Sequence, residues 1–316
     1  MFKKTLGAVL AVFAISSMVT AQDTIPVNFG VAPGLSYRKT DEAVVFFNAS
    51  LINSRAAVIA GIDLAGLVSS ATRAVNGYQA AGLVATTQDL MGFQAAGIYS
   101  GVSGNATGYQ MGGLVSRING DLRGIQAGGL LSIIGGTTYG GQTGFINVAK
   151  ELTGFQAGFI NISSQLNGVP FGLINIAGNG NVSAIAYASN FSGANAGAKF
   201  IANNFVSTIT VGGYDYQQDL DTAISFATSW GYHIPLNPVY IEIDAANMTL
   251  IELAGFDADT VHSRTLAALR LTLGIDIGKY LGIFAGAGAG YQVELRDEDV
   301  IDDGFKPLYF AGITLF

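Results

Sequence analysis

A short phrase recurs through the first half of the chain at a spacing that limits what the chain can fold into. Gly77-Tyr78-Gln79-Ala80-Ala81-Gly82 returns as Gly92-Phe93-Gln94-Ala95-Ala96-Gly97 and as Gly108-Tyr109-Gln110-Met111-Gly112-Gly113. Further copies are centred on Gln126, Gln142 and Gln156, and a degenerate copy, Gly168-Val169-Pro170-Phe171-Gly172-Leu173-Ile174-Asn175, puts Pro170 in the glutamine's place. Asn48 and Asp63 extend the series backwards and Ala184 is a candidate forward extension, so the unit repeats every 14 to 16 residues. Such a unit is either one strand with its turn or one coil of a solenoid.

Polarity alternates within each unit. Around Gln156 one face carries Gly154, Gln156, Gly158, Ile160 and Ile162, and the other Phe155, Ala157, Phe159 and Asn161. Period two is the strand signature. The connectors hold turn residues, as in Ser103-Gly104-Asn105 and Asn119-Gly120-Asp121, with one obvious turn per unit. From Gly77 to Asn181 the charges are Asp89, Arg117, Asp121, Arg123, Lys150 and Glu151, all in or beside connectors. Uncharged strand bodies joined by charged turns point to a membrane or a closed interior. About ten strand residues per unit suit a tilted membrane-crossing strand.

Beyond residue 182 the pattern is that of ordinary strands. Leu269, Leu271, Leu273, Ile275 and Ile277 oppose Arg270, Thr272, Gly274, Asp276 and Gly278, and the segments around Trp230, Val239 and Ala287 alternate likewise. An apolar face against a polar or glycine face, strand after strand, suits lipid outside and a lumen inside. The 316 residues are 50% hydrophobic and 12% charged, yet no long apolar run follows residue 21, so the apolarity is carried by alternation. The net charge of -7 and the scattered basic residues argue against a nucleic-acid partner, and with no cysteine there is neither a disulfide framework nor a thiolate metal site.

Residues 1–21 read as a secretory signal, with Lys3 and Lys4 before an apolar Leu6 to Val19 and cleavage after Ala21. The expected architecture is therefore all-β. Residues 22–316 form a single antiparallel outer-membrane-type barrel with about one strand per repeat, residues 47–181 being its repeat half and 182–316 its non-repeat half. Counting every strand gives a barrel of roughly eighteen, wide enough for an aqueous channel. In it Gln79, Gln94, Gln110, Gln126, Gln142 and Gln156 face the lumen. The alternative is a β-solenoid with stacked glutamines, joined to a smaller C-terminal barrel or sheet.

The chain ends Pro307-Leu308-Tyr309-Phe310-Ala311-Gly312-Ile313-Thr314-Leu315-Phe316. This resembles the terminal strand of bacterial outer-membrane barrels, with Phe316, Phe310 and Leu308 at apolar positions of the pattern and Thr314 and Gly312 departing from it. The resemblance implies recognition by the barrel-insertion machinery. The Gly154–Asn161 and Gly168–Asn175 copies, with Leu266–Gly274 and Ile283–Gly286, make the chain similar to an uncharacterised family of bacterial surface-repeat proteins. In that family, G-x-Q-x-G-[LF]-[IV]-N units precede a strand-rich C-terminal part. The early copies depart from the pattern by carrying Ala or Gly at its bulky positions. The resemblance implies a cell-envelope location and no particular activity.

No catalytic, cofactor or metal site is expected. His233 and His262 read as interfacial or loop residues, and Gly286-x-Gly288-x-Gly290 lacks dinucleotide-fingerprint spacing. The acidic groups Asp297-Glu298-Asp299 and Asp302-Asp303 do not match a calcium loop. Trp230, Tyr232, Tyr240, Tyr280, Tyr291 and Tyr309 are candidates for interfacial girdles or for core packing. The functional expectation is an outer-membrane protein with a structural or weakly selective pore role, its partners being lipid and the insertion machinery. The alternative is a cell-surface repeat protein acting as an adhesin or binding module.

Overall fold

The computed structural model describes residues 23–32, 40, 42–213, 223–252, 262–296 and 299–316. The expected signal segment therefore lies outside the described residues, as do 253–261 and 297–298. The chain divides into two compact units, the first ending at Asp121 and the second beginning at Leu122.

The repeats pair parallel. In the first unit the strands are β1 (Thr24–Gly30), β2 (Val44–Ser50), β3 (Asn53–Ala65), β4 (Val68–Ala81), β5 (Val84–Ala96), β6 (Tyr99–Val102), β7 (Ala106–Gly112) and β8 (Val115–Ile118). Register is kept from copy to copy: Asn48 lies beside Asp63, Asp63 beside Gln79, Gln79 beside Gln94 and Gln94 beside Gln110. The second unit continues with β9 (Leu122–Gly128), β10 (Leu131–Thr143), β11 (Ile146–Ala157), β12 (Ile160–Leu166), β13 (Val169–Phe171) and β14 (Ile174–Ala177). Here Gln126, Gln142, Gln156 and Pro170 lie side by side, again parallel.

In both units the repeats wind as parallel β-solenoid coils, about nine turns in all, which overturns the antiparallel barrel with one strand per repeat. Each repeat is a whole coil because it contains two turns. One is the polar connector. The other is the Gly-Leu or Gly-Phe step that ends each phrase, such as Gly82-Leu83, which looks apolar and does not announce itself as a turn. A Cβ on Gly82 would lie 2.0 Å from the Gly66 carbonyl oxygen of the coil before, so only glycine lets the corners stack. The corner amides still pair between coils, Leu83 N donating to Leu67 O at 2.8 Å and Ile98 N to Leu83 O at 2.9 Å.

The coil is thin, and its inside is sorted into rows. In the first unit, Ser54, Ser69, Ser100 and Ser116 form a polar row facing Asp63, Gln79, Gln94 and Gln110, while Ile59, Val75, Leu90 and Ile118 fill the half beside the connector. Stacking identical coils buries both rows without any long-range sequence signal.

The remaining strands form a separate barrel. These are β15 (Asn181–Ser189), β16 (Ala194–Ala202), β17 (Phe205–Gly213), β18 (Ala223–Pro235), β19 (Val239–Glu252), β20 (His262–Ile277), β21 (Leu281–Arg296) and β22 (Asp299–Leu315). All neighbours are antiparallel, and β22 closes the barrel against β15. The barrel therefore has eight strands, not the roughly eighteen counted from the repeats. Ala184, the candidate forward copy of the repeat, belongs to β15.

Candidate functional site

Two polar assemblies stand out: the ladder inside the solenoid and the charged interior of the barrel. The ladder begins with the glutamines. Gln94 Nε2 donates to Gln79 Oε1 at 2.8 Å, and Gln110 Nε2 to Gln94 Oε1 at 2.9 Å. In the second unit Gln142 Nε2 donates to Gln126 Oε1 at 3.0 Å, and Gln156 Nε2 to Gln142 Oε1 at 2.8 Å. Each Nε2 also reaches across the coil to a carbonyl of the facing arc, for example Gln110 to Arg117 O at 3.1 Å and Gln126 to Ile133 O at 3.1 Å. The glutamine side chains thus tie coil to coil and face to face. They face inward, but into a solid coil rather than a barrel lumen, and all six are 0–1% exposed.

The ladder changes chemistry at both ends. Towards the N-terminus it runs through Asp63, which accepts hydrogen bonds from Ser54 Oγ at 2.6 Å and from Ser69 Oγ, while Asn28 Nδ2 donates to Asn48 Oδ1 at 2.8 Å. Burial pushes the Asp63 carboxyl above its ordinary range, opposed by the hydroxyl and amide donors around it. In the second unit an asparagine row takes over the serine position. Asn147 Nδ2 donates to Asn161 Oδ1 at 2.9 Å and Asn161 Nδ2 to Asn175 Oδ1 at 2.8 Å.

Asn175 Nδ2 then donates to Ser207 Oγ of β17 at 2.7 Å. Ser207 points out of the barrel, since its neighbour Thr208 lines the interior and bonds Ser229 at 2.8 Å. Trp230, beside Ser207 on β18, donates its indole N–H to Gly172 O at 2.8 Å, and Phe171 meets Phe205 edge-on at 5.6 Å between centroids. Ala202 of β16 completes an apolar cluster with Ala149, Leu152, Leu166 and Ala177. The outer wall of the barrel is therefore the cap on the last coil, covering strand edges that would otherwise be open.

Inside the barrel most charges are paired, while Asp276 Oδ1 is buried without a hydrogen bond. Lys199 Nζ lies 2.5 Å from Glu242, His233 Nδ1 lies 2.8 Å from the same carboxylate, and Arg270 Nε lies 2.7 Å from Asp244. Farther along, Glu294 receives His262 at 2.6 Å and Arg264 at 3.2 Å. Lys199 also sits 4.5 Å from the centre of the Tyr240 ring, and Arg270 5.0 Å from that of Phe310. Among these side chains the cavity is about 20 Å³, room for about one water molecule. Around these pairs, among the described residues, side chains fill the lumen. The outer wall is the reverse, with Val211, Ile224, Phe226, Ile243, Leu269, Leu271 and Leu273 all exposed.

Of the terminal-strand residues, Leu308 and Phe310 point into the barrel and are buried. Phe316 follows the end of β22, 40% exposed, with its N–H donated to Tyr280 O at 3.2 Å. The outward residues of that strand are Tyr309, Ile313 and Leu315. Tyr232, Tyr280, Tyr291 and Tyr309 are exposed, while Tyr240 is an interior residue. His233 and His262, read from sequence as interfacial or loop residues, belong to the buried ion clusters. The signal for His233 was its parity with Ser225, Ala227 and Ser229 on the inward face. Asp302 pairs with Lys306 at 3.1 Å and Asp303 accepts from Tyr291. Among the described residues no group of His, Asp or Glu is arranged to hold a metal.

One further recess is polar. On the first unit, Thr72, Thr86, Gln88, Ser103, Arg117 and Asn119 line an open groove beside the connectors. Comparison with known proteins finds no matching family model, no matching curated protein and no matching solved structure.

Proposed function

We propose that the barrel is an outer-membrane anchor and that the solenoid is a rigid scaffold or binding module of the cell envelope, without catalytic activity. The observation that carries this reading is the inside-out barrel. Eight antiparallel strands enclose paired charges and expose Leu, Ile, Val and Phe, an arrangement that is stable where the surroundings are hydrocarbon. In water the same wall would be a large exposed apolar surface.

The side chains filling the lumen argue for anchorage over conduction. As a module, the solenoid offers its outer surface alone, because the ladder amides are committed to one another. The groove around Arg117 is where a polar ligand would meet it. The strand connections support an orientation. Asn203-Asn204, 236–238 and 278–280 are short turns at one end of the barrel. Short turns belong on the periplasmic side of barrels of this kind. The last coil packs beside the Asn203-Asn204 turn, so the coils of the second unit would project on the inner side of the membrane. Lipid and the insertion machinery are the partners this requires.

Membrane fractionation followed by gel migration with and without heating tests the reading. Recovery in the outer membrane, with a heat-dependent change in mobility and no conductance in planar bilayers, is the expected result. A soluble periplasmic protein with a single mobility would sink it.

A further inference from the structure

The solenoid has two unlike edges. At the Gly-Leu corners, Leu67, Leu83, Ile98 and Leu114 of the first unit are 39–51% exposed, and Leu130, Phe145 and Phe159 of the second are 41–51% exposed. Phe145 and Phe159 stack at 4.9 Å with 9° between their planes. Because coils stack at a strand spacing of about 4.8 Å, these side chains form continuous apolar rows rather than isolated exposed residues. The connector edge is polar. There Asp89 Oδ1 accepts from Asn105 N at 2.9 Å, Asn105 Oδ1 accepts from Asp121 N at 2.8 Å, and Glu151 accepts from Thr137 at 3.0 Å.

We infer that the corner edge of the second unit's coils is a lipid-contacting surface, so that these coils lie against the membrane with their connector edge in water. This rests on the barrel being the membrane anchor. Within the second unit the corner row is continuous with the barrel's lipid-facing wall: the next corner, Gly172, bonds Trp230 on that wall, and Phe171 packs on Phe205. An element with one apolar and one polar side rests at the headgroup boundary with its apolar side inserted. The corner residues are uncharged, so attachment needs no anionic lipid.

The absence of cysteine makes single-site labelling clean. Variants Leu130→Cys, Phe145→Cys and Phe159→Cys, each carrying a polarity-sensitive fluorophore, are placed in phosphatidylcholine vesicles with either a doxyl-labelled lipid or aqueous iodide as quencher. Lys150→Cys on the connector edge of the same unit and Leu271→Cys on the outer barrel wall serve as references. The corner labels are expected to lose most of their emission to the lipid quencher and little to iodide, with Lys150→Cys behaving oppositely. Iodide quenching at the corners, while Leu271→Cys remains lipid-quenched, overturns the inference and leaves the anchor intact. Shielding of the corners from both quenchers overturns it in favour of a second copy of the chain. Failure of lipid quenching at Leu271→Cys removes the anchor and the inference together.

Discussion

Gln94 sits one coil above Gln79 and donates to its Oε1 at 2.8 Å, while its other N–H reaches Gly101 O at 3.4 Å. Its own Oε1 accepts from Gln110 at 2.9 Å and from Ser100 Oγ at 2.8 Å. All four hydrogen-bonding positions of a fully buried amide are filled, which is why a polar residue can sit at the centre of so thin a coil. Replacement by an apolar residue of similar size leaves several partners unsatisfied at once. Gln94→Leu is expected to destabilise the solenoid by about 3 kcal/mol. Faster amide hydrogen exchange across β4, β5 and β7 would report it, and unchanged protection there would show the ladder to be dispensable.

Gly92 precedes that glutamine with φ of +135°, and a Cβ there would meet the Gly77 carbonyl oxygen at 2.2 Å. Strain and collision act together, so Gly92→Ala should cost about 3 kcal/mol or more. Gly278, in the turn between β20 and β21, has φ of +73° and nothing within 4 Å of where a Cβ would lie. Gly278→Ala should cost only about 1 kcal/mol. Unfolding of the two variants in parallel checks the contrast, and equal losses would contradict it.

Asp63 makes a pH prediction of unusual sign for a carboxylate. The unfolded chain releases this proton near the ordinary value of 3.8, and the folded chain holds it to higher pH because burial disfavours the charge. The native state therefore binds more protons in the window above 3.8. Stability contributed by this group falls as pH rises through that window and levels off above the folded value. Asp63→Asn should remove the decline and protect β3 and β4 relative to the parent at neutral pH. Hydrogen exchange of those strands between pH 4 and 8, corrected for intrinsic rates, measures it; a parent-like slope in the variant would refute the assignment to Asp63.

In the barrel, Arg270 and Asp244 are 7% and 4% exposed at the side chain and 2.7 Å apart. Removing one partner strands the other charge, so Arg270→Met is expected to cost about 3–5 kcal/mol. The temperature at which the folded band is lost on a gel should drop accordingly. The double variant Asp244→Leu with Arg270→Met should recover much of the loss, and no recovery would mean that Arg270 acts through its packing on Phe310 instead.

Much of the solenoid was readable. The period, the register of Asn48, Asp63 and the six glutamines, and, from Gly77 to Asn181, the placement of charge in or beside the connectors all follow from the spacing of the copies. The direction of pairing was misread because the second turn of each coil is written as Gly82-Leu83 or Gly144-Phe145, a step that looks like strand interior. Nothing local tells an antiparallel neighbour 15 residues away from a parallel one. The barrel's alternation was also readable, including the inward parity of Arg270 and the outward parity of Leu271. The partners were not: Lys199 meets Glu242, and Glu294 meets His262, only once strands distant in sequence are closed into a ring.

The sequence by itself therefore determined an all-β chain, its repeat length, which side chains share a face within a strand, and where the polar connectors fall, because these depend on period and residue chemistry over a few positions. Tertiary structure alone decided that the repeats wind parallel and that eight later strands close on themselves. It also decided that the last coil is capped by the barrel's outer wall through Asn175 and Ser207. Those outcomes rest on hydrogen bonds and packing between residues that no local pattern brings together: carbonyls crowded against Gly82 and Gly92, amides saturated by neighbours one coil away, and charges neutralised across a lumen.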